Sequence, residues 1–437
     1  MHDERTTASE LRERWPLLSP EERIEGFERL DRDEAEGFFL SLSPRGKAMV
    51  IGGCPAGERR IWMRLLAPDD AADVVQEFPP TDREGLLDLL DKTARNEVRA
   101  LLAYAEDEAG GLMSPRFARI RPDMTAEEAS RYVRRQVRDQ PETIYYVYVL
   151  DGEQHILGII SFRELLTAPG DRLVREIMKS EVITVPEDMD DEEVARVIAR
   201  HDFLAVPVVD QDGRMKGIVT VDDIVDVVQR EATEDIHKLG GLEALDIPYM
   251  QTGFLPMLRK RAGWLALLFV GEMLTTNAMA RYEDEIARAL VLAIFIPLII
   301  SSGGNSGSQA ATLVTRALAL GEVRPRNWWR IARREIAMGL SLGGVLAVVG
   351  LLRVVLGEWL FQSFGEHAFL LGLTVGLSLI GVVLWGTVCG SMLPLILRAL
   401  RLDPASASAP FVATLVDVSG LLIYFTVAEA ILSGTLL

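Results

Sequence analysis

From Arg259 to its end the chain carries five apolar stretches, near 262–280, 287–317, 330–356, 369–397 and 409–435. Each is long enough to cross a bilayer, which takes roughly 20 residues. A chain with such a second half is a membrane protein before any other argument begins. Charge divides at the same place. Residues 1–258 hold 32 basic and 53 acidic groups, whereas the remainder holds 14 and 11, so the formal net charge of −18 belongs to the first half. A half that acidic is a poor partner for nucleic acid, whose phosphates require Lys and Arg, and a good one for cations. Orientation follows from the arginines. Arg259, Lys260 and Arg261 precede the first stretch, Arg324, Arg326, Arg330, Arg333 and Arg334 lie around the second connection, and Arg398 and Arg401 in the fourth. The intervening connection carries Glu283, Asp284 and Glu285. The N-terminus is therefore expected in the cytoplasm, where no signal peptide removes it, and the C-terminus outside.

These stretches are more than anchors. The second contains Ser301-Ser302-Gly303-Gly304-Asn305-Ser306-Gly307-Ser308-Gln309. Lipid offers no partners for such groups, so they must face protein or water. Ser302, Asn305, Gln309 and Thr312 fall on one helix face, and Gly303 with Gly307 permits close backbone approach. The fifth stretch carries Asp417, a carboxyl whose insertion costs on the order of 3 kcal/mol and which has no basic residue in its span. A cation explains it best; a protonated acid bonded to a neighbouring helix is the plainer alternative. Glu272 and Glu429 read as packing residues. A sparse acid among hydroxyls, amides and carbonyls is a hard oxygen environment that suits Mg2+, Mn2+ or Ca2+. Two cysteines, Cys54 and Cys389, and five histidines argue against thiolate or imidazole zinc sites.

The acidic half contains an internal repeat. Met113-Ser114-Pro115 matches Met178-Lys179-Ser180, and Asp123-Met124 matches Asp188-Met189, at an offset of 65; Gly158-Ile159-Ile160-Ser161 matches Gly217-Ile218-Val219-Thr220 at 59. Each copy predicts a strand, a helix, two strands and a helix, with strands at 144–150 and 157–161, then 205–209 and 216–220. Two such units resemble a pair of CBS (cystathionine-β-synthase-type) domains. That resemblance implies adenine-nucleotide binding, with Thr220 and Asp223 at the ribose and Ser161 and Glu164 as a weaker counterpart. The plainer reading makes both pairs helix caps. No GxxxxGK[ST] segment occurs, which excludes a P-loop ATPase. Upstream, short amphipathic helices are expected at 20–31, 69–77, 81–91 and 94–106. Downstream, 225–258 is expected as a long helix, broken at Gly240-Gly241, leading to the membrane.

Taken together, "AYAEDEAGGLMSP" (103–115), the CBS pair, "EATEDIHKLGGLEAL" (231–245), "SSGGNSGSQAATLVTRALALGEV" (301–323) and "LDPASASAPFVATLVDVSGLLIYF" (402–425) resemble the MgtE family of magnesium channels or transporters over nearly the whole chain. The resemblance implies a multidomain membrane protein. Its parts would be an all-α superhelical N-domain (1–112), an α/β CBS pair (113–170 and 171–230), a plug helix (231–258) and a five-helix transmembrane domain (259–437). It implies a homodimer in the cytoplasmic membrane, with Asp417 and Asn305 in the ion path and Asp403 at its cytosolic mouth. Asp223, Asp226, Glu231, Asp235 and Asp246 are the candidates for regulatory Mg2+. On this expectation Mg2+ enters down its electrochemical gradient and closes its own path. The competing readings are a broader Mn2+/Co2+ or cation-coupled transporter, a membrane-anchored CBS sensor, and an intramembrane hydrolase, the last disfavoured because Asp417 looks like a lone acid.

Overall fold

The computed structural model describes residues 7–139, 145–245, 249–361 and 367–436. The chain separates into two compact units, Met1–Glu231 and Ala232–Leu437, described in turn.

The first unit opens with eight helices: α1 (Ala8–Arg14), α2 (Pro20–Glu28), α3 (Arg32–Leu40), α4 (Pro44–Gly53), α5 (Ala56–Leu65), α6 (Pro68–Gln76), α7 (Pro80–Leu87) and α8 (Lys92–Leu101). Each starts twelve residues after the last. Local chemistry sets that rhythm. Proline occupies the first helical position of α2, α4, α6 and α7, where its missing N–H costs nothing. Ser19, Ser43 and Asp91 accept from backbone N–H groups as N-caps. One helix and one turn thus form a repeating step, a short solenoid.

The repeat of the sequence becomes two matching sheets. A short helix α9 (Ala109–Leu112) precedes β1 (Arg119–Ile120), α10 (Ala126–Asp139), β2 (Tyr146–Leu150), β3 (Ile156–Ser161) and α11 (Phe162–Thr167). The second copy follows as α12 (Val174–Ile177), β4 (Val185–Pro186), α13 (Asp191–His201), β5 (Ala205–Val209), β6 (Met215–Thr220) and α14 (Val221–Leu239). In both sheets the first strand runs parallel and the last antiparallel to the middle one. The register repeats: Tyr146 faces Ser161 and Ala205 faces Thr220, and the irregularity at Val149/Leu150 recurs at Val208/Val209. The expected strands are present; Ile144, the start expected for the first, lies outside the described residues.

The copies are also stitched reciprocally. Ser114 exchanges two backbone hydrogen bonds with Ile218, at 2.8 and 2.9 Å, and Lys179 exchanges two with Ile159, at 3.0 and 2.9 Å. Each copy's leading segment therefore completes the other copy's sheet edge. This is why glycine recurs at 158 and 217. A Cβ on Gly158 would lie 2.7 Å from the Met178 sulfur and 2.9 Å from the Lys179 carbonyl, and one on Gly217 would lie 2.7 Å from the Ser114 carbonyl. The helical repeat shares one core with the second copy, from Leu11 and Phe38 through Val98 to Val194, Val206 and Ile224. The "EDEAGGL" turn fastens them, with Ala109 N–H on Met189 O at 2.7 Å, Gly110 N–H on Glu187 O at 2.8 Å, and the Tyr104 hydroxyl on the Glu187 carboxylate at 2.7 Å.

In the second unit, α14 ends at Leu239 because Gly241 turns the chain at φ +70°. The expected long helix is thus shorter than 225–258. The chain resumes as α15 (Phe254–Arg281) and α16 (Glu283–Arg288), then α17 (Leu290–Ala319), α18 (Trp328–Phe361), α19 (Ala368–Ala399) and α20 (Ala409–Leu432). Among the described residues four helices, at 290–319, 325–360, 368–399 and 409–432, are long and apolar enough to cross a membrane. The first expected span, 262–280, lies in α15, which is not among those four; its apolar run is interrupted by Glu272, Thr275, Thr276 and Asn277. The helix α17 runs unbroken through Pro297. It packs on α19 through facing small residues: a Cβ on Gly386 would strike the Gly303 carbonyl, and one on Gly390 the Gly307 carbonyl. Ser306 and Thr387 hydroxyls bond across the same seam at 2.8 Å.

Candidate functional site: a carboxyl pair between apolar helices and the acids of the first half

Three helices converge on Asp417. It projects from α20 and comes within hydrogen-bonding reach of the Glu272 carboxyl on α15. The close approach has a cause: a Cβ on Gly271 would sit 2.7 Å from the Thr414 methyl. From the other side α17 offers Gly304, whose added Cβ would meet Ala413 at 3.4 Å and the Asp417 Oδ1 at 3.7 Å. Asp417 is therefore not a lone acid. Two carboxyls share a site inside apolar helices, and like charges that close require a shared proton or a cation between them. A Cβ on Gly420 would meet Val382 of α19 at 3.0 Å, so this glycine packs against that helix.

The polar face of α17 behaves as its spacing demands. Asn305, Gln309 and Thr312 are exposed and Ser302 is half-buried, whereas Gly303, Gly304, Ser306 and Gly307 are buried. Asn305 donates to the Ser301 hydroxyl at 3.4 Å, and Ser302 and Thr312 turn their hydroxyls back to the Leu298 and Ser308 carbonyls. A 430 Å³ groove runs along Ser308, Gln309, Thr312 and Leu313. An amide and hydroxyl face on an otherwise apolar helix needs water or a polar partner opposite it.

Asp403 sits between α19 and α20, where it caps the following turn by accepting from Ala405 N–H at 2.8 Å. It also pairs with Lys238 of α14 at 2.5 Å, and Lys238 pairs with Glu234 one turn back. Burial pulls the Lys238 ammonium down, but the Asp403 and Glu234 carboxylates more than offset this and leave it raised. The acid expected to meet a cation at this position meets a tethered one. Sequence reasoning passed over Lys238; its signal was the Glu234–Lys238 spacing of four on an acidic helix.

In the first unit, Asp70 and Asp73 of α6 approach Asp223 of α14. Burial foremost, then the Asp70 and Asp223 charges, push Asp73 up to about 7, although Lys47 acts in the opposite sense. Asp223 is also pushed up to about 7, by burial first, against the Thr220 hydrogen bond that lowers it. Lys47 is buried and pairs with Asp70 at 2.6 Å. The acids of the helix expected at 69–77 thus include one, Asp73, that is mostly desolvated.

The Thr220 hydroxyl donates to Asp223 Oδ2 at 2.5 Å. Its counterpart is a capping box, with Ser161 and Glu164 bonded reciprocally and Glu164 paired to Lys179 at 3.2 Å. Asp226 is exposed on α14, Glu231 lies 3.9 Å from Arg230, and Asp235 stands farther along the helix. Asp246 lies outside the described residues. Among the described residues no group of three or more His, Cys, Asp or Glu side chains is arranged to hold a metal ion.

Known proteins place this architecture. Three family profiles match: MgtE, a divalent cation transporter, at residues 296–427; the MgtE intracellular N domain at 7–107; and the CBS domain at 109–171 and 174–230. "Magnesium transporter MgtE" of Thermus thermophilus is 40% identical over 423 residues, 96% of this chain and 92% of that protein. Its namesake in Bacillus subtilis is 33% identical over 398 residues, 91% and 86% of the two chains. A solved structure described as the cytosolic domain of the Mg2+ channel MgtE in complex with ATP is 42% identical, covers 51% of this chain and 90% of that one, and superposes with a TM-score of 0.47.

Proposed function

The chain belongs to the MgtE family, a family of transporters and not of enzymes, and on that premise we propose that it carries Mg2+ across the cytoplasmic membrane. The observation that carries this reading is the Asp417–Glu272 carboxyl pair beside Gly304. A carboxyl pair suits an ion that keeps its inner waters, as Mg2+ prefers. The carboxyls attract the hydrated ion without stripping it, and the amide and hydroxyls of Asn305, Gln309 and Thr312 give it hydrogen-bonding partners along the way. In a homodimer two such faces would oppose each other across one path. The α15 helix serves as the fifth span, with the N-terminus in the cytoplasm and the C-terminus outside.

Regulation belongs to the same proposal. Residues 1–112, the CBS units 113–170 and 171–230, and the 231–258 segment respond to cytosolic Mg2+. The ion binds a closed arrangement better than an open one, and only that difference shifts the population. Asp223, raised by burial first and then by the Asp222 and Asp70 charges, has most to gain from a divalent ion. Asp226, Glu231, Asp235 and Asp246 are the further ligands proposed for this role, and Asp403 the ligand at the mouth. Thr220 and Asp223 would also hold the ribose of ATP or another adenine nucleotide in the CBS pair.

The test is Mg2+ flux into liposomes holding the purified chain, with low Mg2+ on the side of the acidic half. Uptake by the parent and none by Asp417→Ala supports the reading. Equal flux in both removes Asp417 from the path. Folded protein without flux in either gives weight to the membrane-anchored sensor. Equal uptake of Mn2+ or Co2+ makes it a broader divalent transporter.

A further inference from the structure

The N-terminal end of α18 concentrates positive charge that Glu322 and the half-buried Glu335, on which the Arg334 charge acts, offset only in part. Residues 316–334 contain six arginines, Arg316, Arg324, Arg326, Arg330, Arg333 and Arg334, against one preceding acid, Glu322. All six are exposed, and among the described residues no ion pair engages any of them. Arg326, Arg330 and Arg334 recur every four residues, so the cations stack along one side of the entry into the helix. The first turn of α18 contains no acidic residue. A helix N-terminus already carries about half a positive charge and orphan N–H donors. Arginines there oppose the dipole, and an isolated helix would be frayed by them. The arrangement is favourable only if an anion joins it.

The neighbouring side chains say what kind of anion. Trp328 and Trp329 pack edge to face, with ring centroids 5.5 Å apart, and remain 54% and 60% exposed. Indoles left uncovered at the end of a membrane-length helix favour the headgroup level. Guanidinium forks match phosphate oxygens two at a time. We propose that Arg324, Arg326, Arg330 and Arg333, with Trp328 and Trp329, form a docking site for the phosphate of an anionic glycerophospholipid in the cytosolic leaflet. The phosphate sits on the guanidinium forks at the helix N-terminus, and the indoles pack on the glycerol region. Cation clusters of this size beside a span are drawn to an anionic membrane surface. The site rests on α18 crossing the bilayer, and is independent of which ion the protein carries.

The experiment uses the full chain in liposomes with acyl chains brominated near the headgroup, either on phosphatidylglycerol or on phosphatidylcholine. Tryptophan quenching is read with and without Trp328→Phe/Trp329→Phe. Brominated phosphatidylglycerol should quench the Trp328/Trp329 component at least twice as strongly as brominated phosphatidylcholine at equal mole fraction. That preference should vanish in Arg324→Gln/Arg326→Gln, which lies outside α18, and in high salt. Equal quenching by both lipids overturns the proposal, as does a preference that survives the arginine substitutions. Displacement of the lipid effect by millimolar inorganic phosphate overturns it in favour of a free-anion site. Trp359, at the opposite end of α18 and 79% exposed, reports insertion separately. Its quenching by both lipids confirms that the helix spans, and its absence marks a failure of that premise.

Discussion

At the scale of single residues, Asp417 was visible in the sequence because a carboxyl stands out among apolar residues. Glu272 was equally visible but read as packing, since no spacing rule joins residues 145 positions apart. Their pairing predicts that neither suffices alone. Glu272→Gln should reduce Mg2+ flux at least tenfold, and Asp417→Asn should abolish it, both measured in liposomes against protein of unchanged oligomeric state. Lys238 carries a second prediction. It holds Asp403 as a tethered cation, so Lys238→Met should change the Mg2+ concentration at which flux is half-closed several-fold, with no such change in an Asp403→Asn background. Equal effects in both backgrounds would reduce Lys238 to a structural role. A third follows from Asp73 and Asp223, both raised to about 7. An acid raised on folding holds protons that the unfolded chain has lost, so its contribution favours folding at low pH and is lost as pH rises through about 7. Without divalent ions, the acidic half should melt at a higher temperature at pH 6 than at pH 8. Asp73→Asn should flatten that difference, as followed by calorimetry.

At the scale of elements, periodicity and breakers carried most of what was legible. The expected helices at 20–31, 69–77, 81–91 and 94–106 became α2, α6, α7 and α8; α6 is displaced by one residue and the other three are about three residues shorter, because capping residues and prolines set the ends. The twelve-residue step was equally present in the letters, in the prolines that open four of its helices. It became visible when helix starts were counted. The CBS hairpins were legible because two copies repeat, while the reciprocal stitching at Ser114–Ile218 and Ile159–Lys179 was not, since single glycines do not name their neighbours. That stitching predicts that Gly217→Ala overpacks a strand edge and costs about 1–3 kcal/mol, read as a lower melting temperature. Gly386→Ala should separate α17 from α19 at Gly303, and show as a loss of folded protein in detergent on gel filtration. The linking segment was misjudged in length because Gly240-Gly241 was treated as an interruption of one helix; at φ +70° Gly241 ends it.

At the scale of the whole molecule, the division of charge was readable by counting, and it governs behaviour more than any single pair. Residues 1–258 carry a net −21, so copies of this half repel where they approach, and divalent cations relieve the repulsion more than monovalent ones at equal ionic strength. Millimolar Mg2+ should therefore slow trypsin cleavage within 225–258 at least several-fold, where matched ionic strength from KCl does not; equal protection by both salts would leave general screening as the whole effect. The shared core of the first unit has a further consequence, in time instead of space. The eight-helix repeat ends at Leu101, but the core it shares is completed by residues of the second sheet as far as Ile224, 123 residues later. A ribosome needs on the order of ten seconds to supply that length. During that interval Phe38, Phe39 and Val98 face an unfinished wall, and the same is true of Ser114, whose strand partner Ile218 has not been made. The amino-terminal repeat is thus the first part synthesised and among the last to close. Slowed translation between residues 101 and 224 would expose it to chaperones and proteases in proportion to the delay.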